Sequence, residues 1–352
     1  MTFTDIAHQR LHNQHLLSGL SSAEDVVRSL GAVQSQDFAG AKWAVGQRTK
    51  STTDEGITDL FNAGKILRTH MLRPTWHFVA PEDIRWMQML TAPRVHMFNK
   101  YYYKKLDLDE TTLKRGCEVL AQTLRGHHYL DRKAVQLVFQ KAGITASGLK
   151  LTYLIMYAEL EAVVCSGPIQ GKQHTLALLA ERAPQAVSLS HEAALAELTR
   201  RFFTAHGPAT MQDFAWWSSL TMTEVKQGLS LIKTQCETVD GKAFYFVEAA
   251  NASIVSPVVH LLPNYDEYII AYKDRRPFAQ LQLDNTPTYA DLSYHFVTLD
   301  GQLVGGWKRG SASKACTVEL NLFKKLSSAQ QKELENAAKR LESFLRLPVA
   351  LC

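Results

Sequence analysis

Apolar positions repeat with helical spacing through the N-terminal part of the chain, and the polar residues between them carry helix-start signals. Residues 3–17 place Ile6, Leu11, Leu16 and Leu17 on one helix. Ser21-Ser-Ala-Glu24 reads as a capping box for a second helix through Val26, Val27 and Leu30. Phe38, Ala41, Ala44 and Val45 continue at helical spacing, and residues 57–67 predict a further helix with Leu60, Phe61 and Ile66 inward. The period then changes. Residues 66–80 are rich in strand formers and break at Arg73-Pro74, which predicts two short strands joined by a turn. Three helices followed by a hairpin is the order of a winged helix, a helix-turn-helix variant with a basic β "wing".

The same order returns twice. An aromatic-rich helical connector (86–103) leads to helices over 112–125, 130–140 (with Asp131 as cap) and 149–162, then to two strands around Gly167-Pro168. A third set follows, with helices over 191–206, 207–217 and 223–232 and a hairpin over 236–247 turning at Asp240-Gly241. Beyond it the pattern shifts to strands over 258–262, 268–272, 294–299 and 316–320, closed by an amphipathic helix over 327–345. The expected fold is mainly α with β (α+β). It comprises three tandem winged-helix modules (1–104 with the connector, 105–188 and 189–250) and a β-rich, partly barrel-like domain with a closing helix (251–352). Asp266, Glu267, Lys308 and Arg309 read there as charged clusters at strand ends.

Composition narrows this picture only a little. The 352 residues, 46% hydrophobic and 21% charged, are long enough for several domains with a substantial core. No apolar run approaches a membrane span, and the first residues lack the pattern of a signal peptide. The five cysteines are far apart and form no CxxC pair, so a reducing cytoplasm fits better than a disulfide framework or a zinc knuckle. A net charge of +5 permits a nucleic-acid partner without demanding one. His8, His12 and His15 lie at ligand-like spacing, but no carboxylate or cysteine completes a set; a solvated helix face is the expectation, with no metal and no cofactor. There is no GxSxG elbow, P-loop, HExxH or Rossmann glycine pattern. Trp216 and Trp217 are expected in the core rather than as base-stacking platforms.

The candidate chemistry lies in residues 30–48, where Gln34 and Gln36 are one residue apart between two helical segments. Residues at i and i+2 share a face in extended backbone, not in a helix, so a working pair must lie at the junction, where Gly31 lets the chain turn. An amide offers one acceptor and two donors without charge. Such a pair can orient water or tolerate developing positive charge without acting as a strong acid or base. On spacing alone, helix capping is the simpler role for both, and for Asp37 beside them.

The stretches 30–38, 67–78, 260–267, 300–301 and 306–309 resemble the winged-helix DNA glycosylases typified by azinomycin resistance, and the resemblance covers essentially the whole chain. It implies a C-shaped scaffold of three winged helices with a catalytic Gln-x-Gln motif on its concave face, matched here by Gln34 and Gln36; Ser35 stands where the family usually has an apolar residue. The family's hairpin, thought to approach the minor groove, matches 68–78. Arg68, His70, Arg73, Trp76 and His77 are therefore the expected DNA contacts, with Lys308 and Arg309 from the C-terminal domain. Asp37 and Asp266 are accessory candidates. Glycosidic cleavage passes through an oxocarbenium-like state. A purine alkylated at N7 already carries positive charge and leaves as a neutral base without a general acid. The expectation is a monomeric, nucleoid-associated DNA glycosylase acting on alkylated, including bulky or cross-linked, purines in duplex DNA. A non-catalytic DNA-binding regulator and a protein-binding scaffold remain the alternatives.

Overall fold

The computed structural model describes residues 1–248, 253–279, 295–312 and 315–352. Tyr294 and the expected boundary at 250–251 lie outside the described residues.

The first set of elements is α1 (Phe3–Asn13), α2 (Ala23–Leu30), β1 (Ala32–Gln34), α3 (Phe38–Gly46), α4 (Asp54–Asn62), β2 (Leu67–Met71), β3 (Thr75–Val79) and the long α5 (Ile84–Lys105). Helix starts follow the side chains that accept a first-turn amide: Ser22 from Asp25, Asp37 from Gly40, and Thr53 from Gly56. Gly31 ends α2 at φ +78°, a backbone conformation that disfavours an L side chain, and it throws the chain into β1. β1 is a strand that local pattern did not predict. It pairs antiparallel with β3, setting Gln34 opposite His77 and Val33 opposite Phe78, and the sheet order is β1-β3-β2.

The second set is α6 (Glu110–Leu124), β4 (Leu130–Asp131), α7 (Arg132–Lys141), α8 (Gly148–Leu160), β5 (Val164–Ser166), β6 (Thr175–Leu178) and α9 (Leu179–Arg182), again with a three-stranded sheet, β4-β6-β5. The third is α10 (His191–Ala205), α11 (Met211–Ser218), α12 (Met222–Ser230) and the hairpin β7 (Gln235–Val239) and β8 (Lys242–Phe246). The C-terminal elements are β9 (Val259–Leu262), α13 (Glu267–Ile270), β10 (His295–Leu299), β11 (Gln302–Ala312), β12 (Ala315–Leu322), α14 (Ser328–Leu345) and β13 (Val349–Leu351). Five strands run β13-β12-β11-β10-β9, and a bulge at Val297/Thr298 curls the sheet.

One expected strand is corrected. Residues 268–272 do not extend; they enter and leave α13, whose start Asp266 caps by accepting from the Tyr268 amide at 2.9 Å. Tyr268 inside α13 and Tyr272 just beyond its end are both buried, in a run whose strand formers disguise the helical turn. The charged surface expected at 266–267 is corrected as well, because both carboxylates are fully buried.

Three cores explain how these parts are held. The largest joins Leu11, Ala32, Met71 and Trp86 to Phe202 and Phe214 of the third set and to Tyr268 and Phe296 near the C-terminus. A second joins Val26, Val33, Phe61 and Phe78 to Val297, Trp307, Leu341 and Phe344, so the glutamine stretch and the C-terminal sheet share one interior. The middle set packs mostly on itself, around Leu120, Phe139 and Leu154, with Ala92 and Val95 of α5. No described helix is long and apolar enough to cross a membrane.

Candidate functional site

The two glutamines are fastened to the hairpin that faces them. Gln34, 7% exposed, ends β1; its backbone amide donates to Glu267 Oε1 at 2.8 Å, and its side-chain Oε1 accepts from Arg73 Nη2 at 2.8 Å. Arg73 reaches back from the hairpin turn to make this bond. Between the glutamines, buried Ser35 donates its backbone amide to the Trp76 carbonyl at 2.7 Å and accepts from Arg68 Nη2 at 2.8 Å. Gln36 is exposed, and its Oε1 lies 3.5 Å from the Trp76 amide, a loose contact that leaves the amide group free to bind something else. Gln34 is thus anchored and Gln36 is presented. Asp37 caps α3, accepting from Gly40 at 3.1 Å.

Behind Gln34 lies a buried anion. Glu267 Oε2 accepts from Trp217 Nε1 at 2.9 Å, while His206, 3.6 Å away, is too far for a hydrogen bond and acts through proximity. Burial works against the Glu267 charge, but His206, Arg73 and the Gln34 amide outweigh it and hold the carboxyl down at about 2. Desolvation lowers Arg73, and Glu267 opposes that shift. A buried carboxylate therefore sits beneath the glutamine–arginine pair, ionised at every physiological pH.

The remaining candidates divide by burial. Arg68 stacks over Trp76 at 4.3 Å, and burial pushes its guanidinium down to about 10 against the pull of Glu159 and Asp37. His70 is buried, paired through Nδ1 with Glu159, and packs against Trp76. His77 is wholly buried with Nδ1 3.0 Å from the Thr75 carbonyl, so neither histidine ring is on the surface. Asp266 is held by Arg48 at 2.6 and 2.8 Å, in an arrangement that includes Gln14, fixes α13 and makes no hydrogen bond to Gln34 or Gln36. Lys308 and Arg309 are exposed on β11, opposite Glu319 and Val318; Arg309 shares a cavity of about 60 Å³ with Asp37 and Gly40. Trp217 is buried, whereas Trp216 is 45% exposed and donates to the Ile270 carbonyl at 3.0 Å. Among the described residues no group of three or more His, Cys, Asp or Glu could hold a metal.

Residues 27–344 match the family described as DNA glycosylase AlkZ-like. The chain belongs to that family. A relative named "Interstrand DNA cross-link repair glycosylase", from Streptomyces sahachiroi, is 24% identical over 347 residues, covering 94% of this chain and 93% of the relative. The solved structure of Streptomyces sahachiroi DNA glycosylase AlkZ matches with a TM-score of 0.81 at 20% identity, covering 100% of both chains, which shows a shared fold.

Local sequence marks Glu267 of this AlkZ-like chain only as part of a charged cluster. It favours the neighbouring Asp266, and the one available signal is the pair of carboxylates that closes the stretch 260–267. Glu159 carries no motif of its own; the one signal for it is an acid inside the mostly apolar α8, most of which is buried.

The site's histidines also make a prediction for this AlkZ-like protein. Burial lowers His77 to about 3, with Arg73 adding to the effect. Burial likewise lowers His174 and His260 to about 4. The unfolded chain takes up these protons near pH 6.5 and the folded chain refuses them, so this stability is complete above pH 6.5 and lost as pH falls towards 4. Urea midpoints measured across that interval should fall with pH and recover on return; a flat series would contradict the buried neutral rings.

Proposed function

We propose that this AlkZ-like glycosylase hydrolyses the N-glycosidic bond of N7-alkylated purines in duplex DNA, cross-linked purines included, using paired amides and no titrating acid. The observation that carries this reading is the contrast within the site. One amide is anchored by Arg73 beside an ionised buried Glu267, and the other is presented to solvent. His77, the histidine paired with Gln34 across β1 and β3, is held neutral at about 3 and buried, so it is no proton donor near neutrality. In the proposed step the C1′–N9 bond breaks and its electron pair neutralises the cationic purine, which departs as a neutral base. Water adds to the oxocarbenium carbon and loses its proton to solvent, while the Gln36 carbonyl accepts a hydrogen bond from that water. The Glu267 charge favours the cationic state. The relative's name supports cross-linked DNA as a substrate.

Each of the three helix-and-hairpin sets is, in this reading, a winged helix, with module limits at 1–104, 105–188 and 189–250 and the C-terminal domain over 251–352. Exposed Lys308 and Arg309, and Trp76 with Arg68 and Arg73, are the DNA contacts it assigns; buried His70 and His77 brace the hairpin. The protein works as a monomer in the cytoplasm, on the nucleoid.

The test is substrate charge. Duplex carrying N7-methylguanine should yield abasic sites, and duplex carrying uracil, a neutral base that needs leaving-group stabilisation, should not. The rate should be flat through neutrality, because amides do not titrate there. Release of uracil, or a bell-shaped profile, would overturn the amide mechanism. Duplex binding with no base release from either substrate would favour a non-catalytic DNA-binding protein.

A further inference from the structure

The glutamine site opens sideways into a cavity of about 340 Å³ that the reaction scheme does not use. Gln36 stands at its edge, and the cavity runs between the first hairpin and the middle set of elements. Its volume lies at the small end of ordinary ligand sites. The walls are apolar and flat-sided where Phe38, Trp76, Ile155 and Leu176 line them, which suits a planar ring system.

Two buried charges stand among these residues, in a lining that also includes Ser166, His174, Thr175 and, at the exposed rim, Arg132. Glu159, 2% exposed, follows Ile155 by one helical turn on α8, and both residues line the cavity. Its Oε2 is taken by His70, and among the described residues Oε1 has no hydrogen-bond partner. Arg68, 8% exposed, spends Nε and Nη2 on Ser35, which leaves Nη1 to donate. A carboxylate that accepts and a guanidinium that donates therefore share one slot. Adenine offers this pair one donor site, N6–H, beside the N1 acceptor, but no carbonyl and no ring N–H. Guanine presents both, with O6 as acceptor beside the N1–H and N2–H donors.

We propose that this cavity binds the guanine ring of the lesion, with Glu159 accepting from N1–H and N2–H and Arg68 donating to O6. Gln36 at the edge places C1′ next to the slot, so a ring turned out of the stack or just released has only its own width to travel. The space beyond the ring accommodates a small N7 substituent. This inference rests on the glycosylase reading and supplies its base preference; guanine gives the carboxylate two donors where adenine gives it one, so the pair favours guanine by one charge-assisted hydrogen bond.

Free bases test it without relying on catalysis. In calorimetric titration of the intact protein, 7-methylguanine should bind, and 3-methyladenine should bind at least about tenfold more weakly, as expected for the loss of a hydrogen bond to a charged group. Leu176→Trp, at the half-buried rim, should fill the slot and abolish 7-methylguanine binding. Glu159→Gln should erase the preference between the two bases in binding and in excision. If Glu159→Gln fails to fold because His70 loses its partner, the rim variant still decides. Competition then locates the ring. Should free 7-methylguanine raise the KM for lesion duplex, the ring enters before the bond breaks; should it lower kcat at unchanged KM, the ring enters afterwards. Either pattern supports the cavity. Equal binding of both bases, or undiminished 7-methylguanine binding by Leu176→Trp, would overturn it. A protein that excises N7-methylguanine but binds neither free base loses the cavity and keeps the reaction. One that binds 7-methylguanine but never releases a base keeps the cavity and loses the reaction.

Discussion

Glu267→Gln is expected to slow base release at least about tenfold through kcat, with little change in KM, because the residue sets the site's charge and geometry without reaching the duplex. Both carboxylate oxygens accept N–H groups, from the Gln34 amide at 2.8 Å and from Trp217 at 2.9 Å. An amide has one accepting end, so the substitution turns a donor against a donor and removes the charge facing Arg73. Glu267→Ala goes further. It leaves Arg73 without its opposing charge and two buried donors unsatisfied, and it should cost about 3–5 kcal/mol of stability. Asp266→Asn is the control. That residue also sits in a buried ion pair, with Arg48, but contacts neither glutamine. It should lower the urea midpoint while the surviving folded protein keeps its kcat. If both substitutions lose stability and kcat in parallel, Glu267 is a brace for the fold and has no separate part in the chemistry.

The glutamines themselves should separate by role. Gln36→Ala removes the presented amide, and excision should fall by at least about tenfold with duplex affinity and Tm nearly unchanged. Gln34→Ala should lower excision by a similar factor, but it also frees Arg73 from its 2.8 Å bond, so its effect should shrink when Arg73 is already alanine. A double-mutant cycle measures that coupling. Non-additivity between Gln34 and Arg73, with additivity between Gln36 and Arg73, is the expected signature. Normal excision by both glutamine variants would leave the pair as fasteners between β1 and the hairpin.

Local pattern was enough for much of this site. Gly31, the glutamine spacing and the turn at Arg73-Pro74 are properties of neighbouring residues, and helix caps such as Asp131 are readable from type and position. What escaped depends on distant partners. β1 is three residues long and exists because β3, far along the chain, supplies its hydrogen bonds. Glu267 looks like a surface acid until Gln34, Trp217 and Arg73 close over it. Tyr268 and Tyr272 read as strand formers, and the capping oxygen of Asp266 together with burial decides otherwise. The hairpin's basic residues were legible as a set, but not that Arg73 would turn inward to Gln34 while His70 turned to Glu159.

The interior shared by the first elements and the C-terminal sheet has a consequence for how the protein is made. Trp43 donates to the Leu261 carbonyl at 2.7 Å, and Phe344 lies close enough to Gly46 that an added Cβ would come within 2.5 Å of its ring. On the ribosome, Trp43 emerges long before either partner. At ordinary rates of synthesis the wait for Phe344 is on the order of 15–60 s. Throughout it α2, α3 and α4 carry an uncovered apolar face. A chain that ends before α14 lacks Leu341 and Phe344, and so leaves part of that core uncovered.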